Sequence, residues 1–109
     1  MSIFITGINS FVGKELVKVL KKKRFKFTGC DIDKDNNFFR SDIRNKKISR
    51  IIPKSSIVVH LAALSNEKVC TQNKKKAYDV NVNGTINLLK ACSKKKCKQF
   101  IFASTEWVY

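Results

Sequence analysis

Thr6-Gly7-Ile8-Asn9-Ser10-Phe11-Val12-Gly13 decides the fold. The apolar run Ser2–Thr6 before it is a buried strand feeding a tight turn. After it, Val12, Leu16, Val19 and Leu20 form one helical apolar stripe that closes in the cluster Lys21-Lys22-Lys23-Arg24. Phe25–Asp31 supplies a second strand, so the octapeptide joins strand to helix inside a βαβ-length unit.

The alternation repeats downstream. Phe38-Phe39 is a candidate short strand, Ile43–Ile52 a short helix ended by Pro53, and Ser56–Leu61 a β-branched, fully buried strand. Val82, Ile86 and Leu89 set the period of a long helix over about Ala77–Lys95, and Gln99–Ser104 is the next strand. Strands alternating with helices imply an α/β fold with a doubly wound parallel sheet. No repeat or linker divides the chain, so residues 1–109 are expected to form one domain.

The turn sits where backbone N–H groups and a helix dipole meet a pyrophosphate. Gly7 permits the turn out of the strand, and Gly13 lets the helix pack closely; an ordinary βα turn is the competing reading. Asp31, about twenty residues beyond the loop, shifts the balance, because a carboxylate there accepts hydrogen bonds from an adenosine ribose and repels a 2′-phosphate. Asp33 could compete for that role. Loop and acid together point to a dinucleotide, and to NAD over NADP.

With those residues in place, the chain resembles the extended short-chain dehydrogenase/reductase family, the NAD-dependent epimerase/dehydratase group, over its whole length. Thr6–Gly13 is similar to the family's Thr-Gly-x-x-Gly-Phe-Ile-Gly loop, Asp31 to its acidic residue, and Asp42-Ile43-Arg44 to its adenine-side motif. Val59-His60-Leu61-Ala62-Ala63 resembles its strand beneath the cofactor, Asn81-Val82-Asn83-Gly84-Thr85 its helix motif, and Ala103-Ser104-Thr105-Glu106-Trp107-Val108-Tyr109 its active-site strand end. The resemblance implies a Rossmann-type fold, here truncated after about the fifth strand. It implies an NAD site at Gly7, Asn9, Ser10, Phe11, Val12, Gly13 and Asp31, with Asp42 and Ile43 flanking adenine and Leu61, Ala62 and Ala63 lining the cofactor. Asn81 would tie the helix to the site, and Thr105, with Ser104 as alternate, would bond the substrate oxygen being oxidised. The implied activity is that of a nucleotide-sugar epimerase, dehydratase or reductase working by hydride transfer, and the implied assembly is a homodimer through helices such as Ala77–Lys95. A non-catalytic dinucleotide-binding or redox-sensing module of the same fold is the alternative.

Two departures qualify the match. Ser10 stands where the family has its middle glycine, which puts a side chain beside the pyrophosphate. Trp107 stands where dehydratases carry the second member of an acid pair after Glu106, and tryptophan cannot serve as acid or base. The family's base, a tyrosine with a lysine four residues on, is also missing, since Tyr78 is followed by Val82 and Tyr109 is the last residue. The chain is therefore expected to be an N-terminal fragment, inactive alone, with an open sheet edge at Phe100-Ile101-Phe102 that limits solubility.

Composition narrows the remaining classes. Cys30, Cys70, Cys92 and Cys97 lack Cys-x-x-Cys spacing, and His60 is the only histidine, so no metal site is expected and the thiols are small core hydrophobes. His60 itself is expected to be a satisfied core histidine. The opening residues form neither a signal peptide nor a membrane span, which implies a cytoplasmic protein without a membrane partner. The net charge of +15 would ordinarily suggest nucleic acid. Its lysines fall in separate runs at helix ends or loops and outnumber arginines, which favours solvated surface, while salt-sensitive nucleic-acid binding stays an open third reading.

Overall fold

The structure, a computed structural model, describes residues 1–33, 35–63 and 71–103. Its strands are β1 (Ile3–Thr6), β2 (Phe27–Asp31), β3 (Phe39–Arg40), β4 (Ile57–His60) and β5 (Gln99–Phe102), all parallel, in the order β3-β2-β1-β4-β5. The chain winds outward from β1 in one direction, then returns to β4 and winds in the other. That reversal opens a crevice beyond the C-terminal ends of β1 and β4, where ligands of open α/β sheets bind. The expected Rossmann-type architecture is present.

Alternation along β1 divides the core. Phe4 faces a cluster with Val58, Ile48, Ile52 and Leu88, whereas Ile5 faces Ile8 and Leu20 on the other side. Helix α1 (Phe11–Lys22) covers the second cluster. The first is covered by a 3₁₀ turn (Ile48–Ile51), α2 (Lys74–Tyr78), a widened π-helical turn (Asp79–Asn83) and α3 (Gly84–Lys94).

Three sequence expectations need correction. The stripe Val12, Leu16, Val19, Leu20 does not face the core as a unit, since Val12 and Val19 are exposed while Leu16, Val17 and Leu20 pack inward. Gly13 sets this phase, because a Cβ there would lie 2.4 Å from the Ile8 carbonyl, and residues 13, 16, 17 and 20 share its face. Along the continuous stretch from α2 through the π-helical turn to α3, Val82, Ile86 and Leu89 also point outward, and the buried residues are Ala77, Gly84, Leu88, Ala91 and Cys92. A Cβ on Gly84 would meet Ile43 at 2.8 Å, so the small residues mark the packed face.

The helix expected over Ile43–Ile52 shrinks to the 3₁₀ turn. Asp42 and Asn45 side chains accept the backbone N–H groups of Arg44 and Lys47, and Asn87 Nδ2 donates to the carbonyls of Ile43 and Asn45. These bonds give the backbone an alternative to an α-helical ladder.

Candidate functional site

The loop after β1 is built by local chemistry. Gly7 has φ +65°, and a Cβ on it would lie 2.8 Å from the Ala62 nitrogen, so the turn requires glycine on both counts. Ser10, at φ −66° and ψ 167°, is ordinary extended backbone and needs no glycine. Its Oγ accepts the Gly13 N–H at 3.1 Å and caps α1. The N–H groups of Phe11 and Val12 have no acceptor among the described residues, leaving two donors at the positive end of the helix dipole.

Asp31 closes the loop from β2. Its Oδ2 accepts the Asn9 N–H at 3.0 Å and its Oδ1 the Asp33 N–H at 3.3 Å, which leaves lone pairs on both oxygens. Opposite, Arg44 grips Asp42 through Nε and Nη2 and reaches Asp79 through Nη1 at 2.9 Å. Hydrogen bonding to Arg44 holds the Asp42 carboxyl below its ordinary value, and Asn83 with Arg44 does the same for Asp79. The pairs bolt the loop after β3 to the start of the widened helical turn.

His60 lies beneath the crevice, 1% exposed. Thr6 Oγ1 accepts the N–H groups of Leu61 and Ala62, so its own proton goes to His60 Nδ1 at 2.7 Å. Nε2 then carries the imidazole proton and donates to Thr85 Oγ1 at 2.8 Å, and Thr85 passes its proton to the Asn81 carbonyl. Desolvation lowers the His60 pKa to about 4, consistent with a neutral ring.

These elements enclose a cleft of about 440 Å³ that brings together Gly7, Asn9 and Ser10 from the loop, Asp31 from β2, Asp42 and Ile43, and Leu61, Ala62 and Ala63 after β4. The sequence matches the NAD dependent epimerase/dehydratase family over residues 3–109. The chain belongs to that family.

It is 27% identical over 130 residues to UDP-glucose 4-epimerase of Pisum sativum, covering 98% of this chain and 37% of that protein. To dTDP-D-glucose 4,6-dehydratase of Dictyostelium discoideum it is 31% identical over 128 residues, with 98% and 29% covered. The structure of Thermus thermophilus UDP-glucose 4-epimerase in complex with NAD superposes with a TM-score of 0.85 at 29% identity, over 96% of this chain and 38% of that one. The chain thus spans little more than a third of the length of these epimerases.

Within this epimerase/dehydratase-family chain the sequence-predicted residues fall in three groups. The cleft gathers the nine already named. Phe11 and Val12 turn their side chains to solvent, 83% and 58% exposed, and offer only their N–H groups; Gly13 is buried behind the loop, and Asn81 contributes its carbonyl to the Thr85 bond. Thr105 and Ser104, like Glu106, Trp107 and Tyr109, lie outside the described residues.

Sequence reasoning missed Cys30, Ser41, Lys76 and Val80 on the cleft wall, and gave Arg44 no role beyond its motif. Lys76 belongs to a run taken as solvated surface, and only the packing of α2 beside the cleft distinguishes it. Burial pushes the Cys30 thiol up to about 12, which keeps it protonated at neutral pH. Among the described residues no group of histidine, cysteine and carboxylate could hold a metal, and no helix is long and apolar enough to cross a membrane.

Proposed function

We propose that this chain is the NAD-holding portion of a nucleotide-sugar epimerase, dehydratase or reductase. The observation that carries the reading is one cleft joining a glycine turn, a helix start with free donors and a carboxylate at the end of β2. The cradle at Gly7, which a Cβ would fill, and the unused lone pairs of Asp31 fit a dinucleotide. NAD, when bound, supplies a hydride acceptor and donor.

The chain's residues would hold and orient it. The Phe11 and Val12 N–H groups would receive the diphosphate, Asp31 would accept the ribose hydroxyls and exclude a 2′-phosphate, and Asp42 with Ile43 would bound the adenine side. Leu61, Ala62 and Ala63 would line the cofactor from below, and the Thr6–His60–Thr85 chain would keep the ends of β1 and β4 in place. Thr105, with Ser104 as alternate, would bond the substrate oxygen. The UDP-glucose 4-epimerase and the dTDP-D-glucose 4,6-dehydratase among the relatives support a UDP- or dTDP-sugar substrate. The outward stripe Val82, Ile86 and Leu89 supports a homodimer through the π-helical turn and α3, and the free thiols of Cys30, Cys92 and Cys97 support a reducing, cytoplasmic setting.

Calorimetric titration of the full chain with NAD and NADP tests the reading. NAD is expected to bind at least tenfold more tightly, and Asp31→Ala to erase that preference, a change of about 1.4 kcal/mol or more. Equal affinity for the two dinucleotides, or none for either, would sink it.

A further inference from the structure

From the end of the sheet opposite the NAD cleft, we infer a docking surface for an anionic phospholipid bilayer. In sequence the lysine runs are separate, but the parallel topology places two of them at the same end of the sheet, one on each face. Helices α1 and α3 both run back toward the strand N-termini, so residues 21–24 and 94–96 finish at the same end. Lys26 directly precedes β2 and Lys98 directly precedes β5. The register holds these starts level, with Ile3 beside Phe27 and Ile57, and Ile57 beside Gln99. Backbone bonds from Ser55 N–H to the Lys95 carbonyl and from Lys98 N–H to the Ser56 carbonyl tie the end of α3 and the start of β5 to the turn before β4. A cleft of about 530 Å³ at this edge is lined by Lys26, Lys54 and Lys98 and by no carboxylate.

The charge is segregated by fold. Among the described residues, Asp31, Asp33, Asp35, Asp42 and Asp79 lie at the crevice end, and Glu15 is paired with Lys18 on α1. None lies in the basic end. Except for half-buried Lys95, the cations there are exposed, and they are accompanied by exposed Phe25, between Arg24 and Lys26, and by Met1.

A second observation is independent of the charge count. Arg24 (φ 60°) and Lys96 (φ 52°) end α1 and α3 in the left-handed conformation, a position glycine fills at least strain. The chain has cations at both.

A bilayer fits this surface better than a nucleic acid does. The strand starts are level, and the cations gathered there are lysines apart from Arg24, so the surface offers a single arginine fork of the kind that grips phosphates and base edges. Lysines beside an exposed aromatic suit an anionic headgroup layer, where each cation contributes roughly a fivefold gain in partitioning.

The test is co-sedimentation of the full chain with vesicles of phosphatidylcholine alone or mixed with phosphatidylglycerol. Binding is expected only to the anionic vesicles and should fall as salt shortens the screening length. The combined variant Lys26→Gln, Lys54→Gln, Lys98→Gln should lower partitioning about a hundredfold. Arg24→Gly with Lys96→Gly should lower it about twenty-fold while holding or raising the unfolding midpoint, which separates lost charge from lost fold. NAD affinity, measured alongside, should not change in either variant. The proposal is overturned by equal binding to both vesicle types, by binding indifferent to these variants, or by tighter binding to single-stranded RNA than to anionic vesicles at the same salt.

Discussion

At His60, desolvation draws the imidazole pKa from 6.5 down to about 4. The unfolded chain therefore takes up the proton first as pH falls. Stability from the neutral ring is fully present above about pH 6.5, is lost progressively toward pH 4, and declines no further below that. Between pH 7 and 5 this group alone should remove about 2 kcal/mol of stability. Urea midpoints at the two pH values check it: His60→Gln should flatten most of the slope, and an unchanged slope would show that burial does not hold the ring neutral. Ser10 shows how the same scale corrects a motif comparison. Its hydroxyl caps α1 from an ordinary backbone conformation, so the departure from the family's glycine occupies one helix donor without distorting the turn.

The elements show what apolar periodicity conveys and what it leaves open. Strands β1 and β4 were legible because both sheet faces are covered, and their near-continuous apolar runs fit no other environment. The helices were legible in existence but not in phase, because each carries apolar residues on two faces. Only packing contacts, Gly13 against the loop carbonyls and Gly84 against Ile43, reveal which face is inside. The outer face of the stretch from α2 to α3 then becomes informative, with Tyr78, Val82, Ile86 and Leu89 all exposed. If it joins two copies, Ile86→Lys with Leu89→Lys should shift the protein from dimer to monomer in analytical ultracentrifugation and cost the fold less than about 0.5 kcal/mol, as surface substitutions do. A dimer that persisted, or a monomeric parent protein, would remove this helix from the interface.

For the molecule as a whole, a net charge of +15 in so small a fold is self-repulsive, and the repulsion is concentrated where the strand starts meet the helix ends. Raising salt from about 0.01 M to 0.1 M shortens the screening length from roughly 30 Å to 10 Å. The thermal midpoint should rise over that range; a flat or falling midpoint would mean that the gathered lysines do not strain the folded state. The sequence by itself determined the α/β alternation, the glycine turn with its following acid, and the family, because each rests on local backbone requirements or on residue types at short spacing. Tertiary structure alone decided which helix faces are buried, that Arg44 and Lys76 stand at the cleft, and that two distant lysine runs share one end of the sheet. Those are consequences of strand order and register, which bring together residues far apart in the chain, and no spacing along it encodes them.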